Sequence, residues 1–99
     1  MLHIVNKSHS QTRMLESCLR LARDGQALLL IEDGVYAATR AGASSAGLAE
    51  ATSRLKVYAL QPDLEARGMA GSVIEGITTV GYDGFVDLVA EHPTCQSWL

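Results

Sequence analysis

Residues 27–31 read Ala-Leu-Leu-Leu-Ile, an unbroken apolar run with no polar residue at alternate positions. A strand with one face in water alternates apolar and polar residues, whereas a strand covered on both faces is apolar throughout. The run ends at Glu32-Asp33-Gly34, which is a typical turn sequence. The stretch therefore predicts a strand that is buried on both faces, as in a parallel sheet with helices on either side.

Similar runs flank this strand and alternate with helical patterns. Further strands are predicted at Leu2–Val5, Lys56–Leu60 and Ile77–Val80, with a brief extended segment at Val73-Ile74. Apolar residues at helical spacing predict helices at 14–22, 35–39 and 48–55, from Pro62 toward Gly68, and from Tyr82 or Asp83 to His92. We therefore predict one α/β domain over residues 1–99, a three-layer α/β/α sandwich with a four- to five-stranded, mainly parallel sheet.

Two local patterns refine the helix and loop boundaries. Ser8 is followed three residues later by Gln11, which predicts a capping box at the start of the first helix, and Gly25 is suited to its end. Residues 40–47 are small and polar and predict a mobile loop.

The charge of the chain limits its direct partners. Eight Lys and Arg stand against eleven Asp and Glu, for a formal net charge of −3, and the basic residues are scattered. Direct nucleic-acid binding usually needs a basic patch, so we expect none. The longest apolar run, 27–31, is too short to cross a membrane, and the N-terminus lacks a signal-peptide pattern. These features predict a cytoplasmic protein whose two thiols are reduced.

The two cysteines are the first candidates for chemistry, because an accessible thiolate can accept a persulfide sulfur. Cys18 lies about two turns into the first predicted helix, on its apolar face, which favours a buried structural residue over a persulfide carrier. Cys95 is predicted to be exposed near the C-terminus, and either a sulfur acceptor or an ordinary tail residue fits that position.

No cofactor or metal site is predicted. His3, His9 and His92 are too dispersed to form a zinc signature with the cysteines. The sequence contains no dinucleotide-binding glycine motif, no phosphate-binding loop and no nucleophile-elbow motif. Asp33-Gly34 follows a strand at a place where α/β proteins bind ligands, but Asp-Gly is also a common turn.

The C-terminal segment ends in the only tryptophan, Trp98, followed by Leu99. Chain termini are poorly ordered unless something holds them. A large aromatic ring in this position predicts that the segment docks, either on its own domain or on a partner. Trp98 and Leu99 are therefore the candidates for a subunit interface.

Four stretches together resemble the DsrH/TusB family. They are LHIVNKS at 2–8, LESCLRLARDGQALLLIEDGVYAA at 15–38, KVYALQPDLEARG at 56–68 and VGYDGFVDLVAEHPTCQSWL at 80–99. The resemblance is weakest over residues 40–54. Its most specific part is KVYAL-x-x-DL-x-ARG followed by GFVDLV and QSWL, since both order and spacing match.

The resemblance implies a role that composition does not indicate. Members of this family are the smallest subunits of heterohexamers that relay persulfide sulfur and contain two copies each of three related α/β chains. TusBCD complexes pass sulfur toward 2-thiolation of the wobble uridine in certain tRNAs. DsrEFH complexes handle sulfur in the cytoplasm of sulfur-oxidising bacteria.

The resemblance also implies two companion chains, one TusC/DsrF-like and one TusD/DsrE-like, with the transferring cysteine on the latter. Cys18 matches a cysteine of DsrH-type members, and Cys95 matches none. Because tRNA thiolation is the more widespread role of the family, we predict a TusBCD-type subunit that acts mainly through assembly. The alternatives are a DsrH subunit of DsrEFH, a Cys18 persulfide carrier in its own right, and a stand-alone small-molecule binding domain with its site after Ile31.

Overall fold

The strands and helices alternate along the chain in this computed structural model, which describes residues 1–98 and, for Ser45, the backbone alone. The strands are β1 Leu2–Val5, β2 Ala27–Leu30, β3 Lys56–Leu60, β4 Ile77–Val80 and β5 Cys95–Trp98. The α-helices are α1 Met14–Leu21, α2 Ala43–Ala46, α3 Leu48–Ala51, α4 Gln61–Ala66 and α5 Tyr82–Glu91. Two 3-10 helices span Glu32–Ala38 and Ala70–Ser72.

The five strands form one sheet in the order β4-β3-β2-β1-β5, and every neighbouring pair is parallel. Leu2 of β1 lies between Ala27 of β2 and Cys95 of β5. The four residues of β2 are all buried, as the apolar run predicted. The predicted α/β sandwich with a parallel sheet is thus confirmed.

The strand order explains how the helices divide between the two faces of the sheet. From β1 to β4 each strand is added on the same side, so right-handed crossovers place their connections on one face. The connection from β4 to β5 runs back across the sheet, which places α5 on the other face. Two separate core clusters agree with this division: Leu15 and Leu64 belong to one, and Leu88 of α5 belongs to the other with Leu2 and Leu29.

The first helix begins later than its capping signal at Ser8 indicates and ends earlier than Gly25. The capping-box prediction is wrong: α1 begins at Met14, and the Ser8 hydroxyl contacts Ser10 Oγ at 2.8 Å instead of capping a helix. The helix ends at Leu21, where the Arg54 guanidinium bonds the carbonyls of Leu19 and Ala22. A cation at the last carbonyls of a helix completes its hydrogen bonds.

The segment after β2 is more helical than predicted. The predicted loop at 40–47 contains α2, which ends at Ala46 and is capped by Gly47 with φ of +72°. The helix predicted at 48–55 is shorter than expected and ends at Ala51. Val73 makes only an isolated bridge with Thr39. Among the described residues, no helix is long and apolar enough to cross a membrane.

The C-terminal segment docks on its own domain by pairing with β1 as β5. Leu99, the second predicted interface residue, lies outside the described residues.

Candidate functional site

All five strands are parallel, so their carboxyl ends meet at one edge of the sheet. In open α/β sheets, ligands bind at this edge, where the connections of neighbouring strands lead to opposite faces. At this edge the chain leaves β1 for α1 by the loop of residues 6–13, and it leaves β4, three strands away, for α5 on the opposite face. The loop after β1 thus lies at the edge where such sites occur.

Two open cavities lie beside this loop, of about 550 Å³ and about 490 Å³. Both are lined by His9, Ser10 and Gln11. The larger extends toward Arg13 and Glu16 of the α1 region, and the smaller toward the 3-10 helix Glu32–Ala38. Their walls offer hydroxyl, amide and imidazole groups that suit a polar ligand or a polar protein surface.

Asp33, the sequence candidate at this edge, is held by Arg67. Both Nε and Nη2 of Arg67 donate to Asp33 Oδ1, at 3.0 and 2.9 Å. Arg67 Nη1 donates to the Asp63 carbonyl at 3.2 Å, and Asp63 Oδ2 accepts the Glu32 N–H at 2.6 Å. The bond to Asp33 raises the pKa of the Arg67 guanidinium above its usual value. Asp63 and Arg67, both within KVYAL-x-x-DL-x-ARG, thus fix the turn after β2.

Position 34, in the same turn, is occupied by glycine for a steric reason. A Cβ added at this position would collide with the backbone carbonyl of Val5 in β1. Glu32, two residues earlier, has φ of +50°, a left-handed conformation that is uncommon for residues other than glycine. The Asp-Gly turn is therefore shaped to pass closely over β1 and is explained without a ligand.

Cys18 is fully buried, in the core cluster that α1 forms with the sheet. Burial raises the pKa of its thiol to about 12, and the nearby Arg54 guanidinium only partly offsets this rise. A thiol in this environment is protonated at neutral pH and shielded from a protein donor.

Cys95 is exposed on β5. It pairs with Leu2, and partners in a parallel pair point to the same face of the sheet, which is the α5 face. Cys18 packs on the opposite face, so the sheet separates the two thiols, and both are free cysteines.

His3 and His92 make contacts in separate parts of the structure. His3 is buried and contacts Gln26 and Trp98, and His92 Nδ1 contacts the Leu88 carbonyl at 2.7 Å near the end of α5. Across residues 1–98, no group of three His, Cys, Asp or Glu is placed to hold a metal ion.

Trp98 is half-buried and packs against the main core cluster. Its indole N–H donates to His3 Nδ1 at 3.2 Å. The ring is therefore largely engaged within the domain, and its part in a subunit contact remains a prediction.

Sequence reasoning did not foresee Arg54 and Arg67, whose guanidinium groups reach other elements of the fold. For Arg67 a signal existed, since it lies in the motif that carries the family resemblance. For Arg54 there was none, because its target carbonyls are set by the fold.

Fold and edge geometry together define a five-stranded parallel α/β domain whose carboxyl edge is tied by the Asp33–Arg67 pair. Two solved structures share this fold. A protein of unknown function from Methanobacterium thermoautotrophicum, MTH1491, superposes with a TM-score of 0.73 at 24% identity, covering 97% of this chain and 95% of that one. Protein Tm0979 from Thermotoga maritima has a TM-score of 0.63 at 22% identity, covering 93% and 94%.

Sequence comparison gives the family. Residues 7–95 match the family described as DsrH like protein. Proteins named TusB are 46% identical over 99 residues in Enterobacter sp. strain 638 and 39% identical over 98 residues in Escherichia coli K12, covering 99% of this chain and 100% of each relative. The chain belongs to the DsrH/TusB family, as its sequence motifs indicated.

Proposed function

We propose that the chain is the TusB-type subunit of a three-chain sulfur-relay complex and that it acts through assembly without carrying sulfur itself. The observation that carries this proposal is the burial of Cys18, the thiol that matches a cysteine of DsrH-type members. A persulfide forms when a thiolate attacks the terminal sulfur of a donor persulfide and the donor leaves as a thiolate. Cys18 offers neither the thiolate nor the access that this attack requires.

The complex is proposed to be a cytoplasmic TusBCD-type heterohexamer. Its companions are a TusC/DsrF-like and a TusD/DsrE-like chain, and the latter supplies the cysteine that carries persulfide sulfur toward the wobble uridine of tRNA. The TusB names of the relatives favour this branch over the DsrEFH branch. With a net charge of −3 and scattered basic residues, this subunit leaves contact with RNA to other proteins.

Genetic complementation tests the proposal. The chain is expressed with its own two companion chains in an Escherichia coli strain that lacks TusB, TusC and TusD, and 2-thiouridine in tRNA is measured by mass spectrometry. Thiolation should return with all three chains and fail when this chain is omitted. Unchanged tRNA with all three chains assembled would contradict the tRNA branch and favour the sulfur-oxidation branch.

The role of Cys18 is tested in the reconstituted complex. Cys18→Ala should assemble and transfer persulfide sulfur at nearly the normal rate, and Cys95→Ala is the matched control for the exposed thiol. Mass spectrometry after incubation with a persulfide donor locates any added sulfur. Loss of transfer in Cys18→Ala with assembly intact would make Cys18 the carrier, and the same result in Cys95→Ala would assign that role to Cys95.

A further inference from the structure

The two faces of the sheet are covered unequally. On the face of α1 and α4, Leu28, Leu30, Val57 and Ala59 are no more than 2% exposed. The opposite face is covered by α5 alone, among the described residues, and one helix about 10 Å wide is narrower than five strands about 4.8 Å apart. Leu2, Ala27 and Leu29 on this face are buried. The apolar residues that pack around them remain partly exposed, namely Ile4, Tyr58 and Val80 of the sheet and Ile31 just after β2.

The helix itself adds to this apolar surface. Tyr82, Val86 and Val89 recur at helical spacing along one flank of α5 and are 63%, 66% and 41% exposed. With Phe85 and Ala90 they line an open groove of about 370 Å³. Leu88, on a different side of the helix from these residues, is buried in the cluster with Leu2 and Leu29. We call the flank formed by Tyr82, Val86 and Val89 the α5 stripe.

A row of acidic side chains runs along another flank of the same helix. Asp83, Asp87 and Glu91 follow one another at intervals of four residues, and all are exposed. No Lys or Arg occurs after Arg67 in the sequence, and none of these three acids forms an ion pair with another described residue. The α5 stripe is thus an apolar surface with an acidic border.

We infer that the α5 stripe is the docking surface for a companion chain that presents an apolar patch bordered by Lys or Arg. The inference rests on the proposed function, which supplies the companions, and adds the surface that they use. Apolar contact would provide the core of the interface, and the acidic row would select and orient a basic partner.

Charge argues against a second copy of this chain, paired antiparallel through α5, as the occupant. A two-fold axis that pairs two α5 helices antiparallel through their stripes brings both acidic rows to the same side of the interface. Like charges would then face each other with no basic residue of α5 between them, and like-charge contacts suppress pairing.

Co-purification with the two companion chains tests the surface. The full chain is co-expressed with tagged companions, and the retained amount is compared for wild type, Val86→Lys and Leu21→Lys. Leu21 is the matched control, because it is 63% exposed on α1 at the opposite face. Val86→Lys should lower retention by about tenfold or more, as expected for the centre of an interface, while Leu21→Lys should retain the normal amount.

A second pair of variants tests the charge. Asp87→Lys should weaken retention and reduce its dependence on salt, whereas Glu65→Lys, an exposed acid on α4, should change neither. Thermal unfolding of each isolated variant checks that the fold is intact. Amide hydrogen exchange of the wild-type complex supplies a measurement without substitutions, and residues 82–91 should be protected relative to the isolated chain.

The outcomes separate this inference from the proposed function. Normal retention of Val86→Lys without protection of α5 overturns the docking surface and leaves the proposed function standing. Equal losses in Leu21→Lys also overturn it. A wild-type dimer that Val86→Lys dissociates would make a second copy the occupant. Wild-type chain that binds neither companion contradicts the proposed function and this inference together.

Discussion

The indole N–H of Trp98 donates a hydrogen bond to Nδ1 of His3 at 3.2 Å, across 95 positions of sequence. His3 Nε2 contacts Gln26 Oε1 at 2.8 Å, and the same oxygen accepts the Arg23 backbone N–H at 2.9 Å. Because a backbone N–H donates to it, this atom of the Gln26 amide is the oxygen, which can only accept. His3 Nε2 is therefore the donor in its contact with Gln26. His3 is thus the neutral tautomer with its proton on Nε2, because Nδ1 must accept from Trp98.

This relationship predicts coupled effects of substitutions at the two residues. Trp98→Phe keeps an aromatic ring but removes the donor, so the free energy of unfolding should fall by about 1 kcal/mol in urea denaturation. His3→Leu removes the acceptor at the same contact. In the double variant the losses should be less than additive, since the bond can be lost only once. Strictly additive losses would show that the contact contributes nothing.

The buried thiol predicts a pH-dependent difference between wild type and Cys18→Ala. The pKa of Cys18 rises from an ordinary 9.0 to about 12 in the folded protein. Between these values the unfolded chain has lost the thiol proton and the folded chain keeps it. The free energy of unfolding therefore falls with rising pH, by at most about 1.4 kcal/mol per unit.

Chemical denaturation at several pH values measures this difference. Below pH 9 the full contribution of Cys18 is present, and Cys18→Ala should be about 1 kcal/mol less stable. Above pH 9 that advantage should decrease and vanish at about pH 10, because alanine has no proton to lose. A difference that stays constant from pH 8 to pH 11 would contradict the raised pKa. Cys18→Ser should be less stable than Cys18→Ala, because it buries a hydroxyl.

The close approach of the turn to β1 predicts a position-specific effect of alanine. Gly34→Ala would place a methyl group against the Val5 carbonyl, and the backbone there has little freedom to move. We expect it to lower the free energy of unfolding by about 2 kcal/mol or more. Gly71→Ala is the control, since an added Cβ meets no atom within 4 Å. Thermal unfolding should separate the two, and equal melting temperatures would show that the turn can shift.

The Arg67 contacts predict that lysine is a poor substitute. Lysine offers one ammonium group and cannot direct two donors to Asp33 while reaching the Asp63 carbonyl. Because the Asp33 side chain is 48% exposed, solvent screening limits the expected loss for Arg67→Lys to about 1 kcal/mol in urea denaturation. Arg40→Lys, at an exposed position, should be neutral. An equally neutral Arg67→Lys would mean that a single charge is enough.

The parts of the fold that depend on local pattern were predictable. A run such as 27–31 has no polar side chain to place in water, so a strand covered on both faces is its simplest structure. The Ser8 capping box failed because several structures compete for a short polar segment, and there the Ser8 hydroxyl contacts Ser10 while α1 starts at Met14. A capping box indicates only that side chains able to cap a helix are present at that position. The residue at which the helix begins also depends on how the helix packs against the rest of the protein.

The elements that depend on distant partners were not predictable. Cys95–Trp98 is a short, mostly polar segment, and it becomes a strand because β1 offers an open edge. Arg54 likewise gains its role from the carbonyls at the end of α1. The α5 stripe did have a signal in the sequence: Phe85, Val86, Leu88 and Val89 are more apolar residues than one face of a helix can bury against a sheet.

The pairing of β1 with β5 has a consequence for how the protein is made. During synthesis from the N-terminus, the side of β1 that faces away from β2 lacks its neighbour until Cys95–Trp98 has left the ribosome. Joining segments that are 95 positions apart costs about 4 kcal/mol of chain entropy, so this step is placed late in folding. The nascent chain therefore exposes an unpaired strand edge, the feature that promotes aggregation, until β5 has emerged and paired with β1.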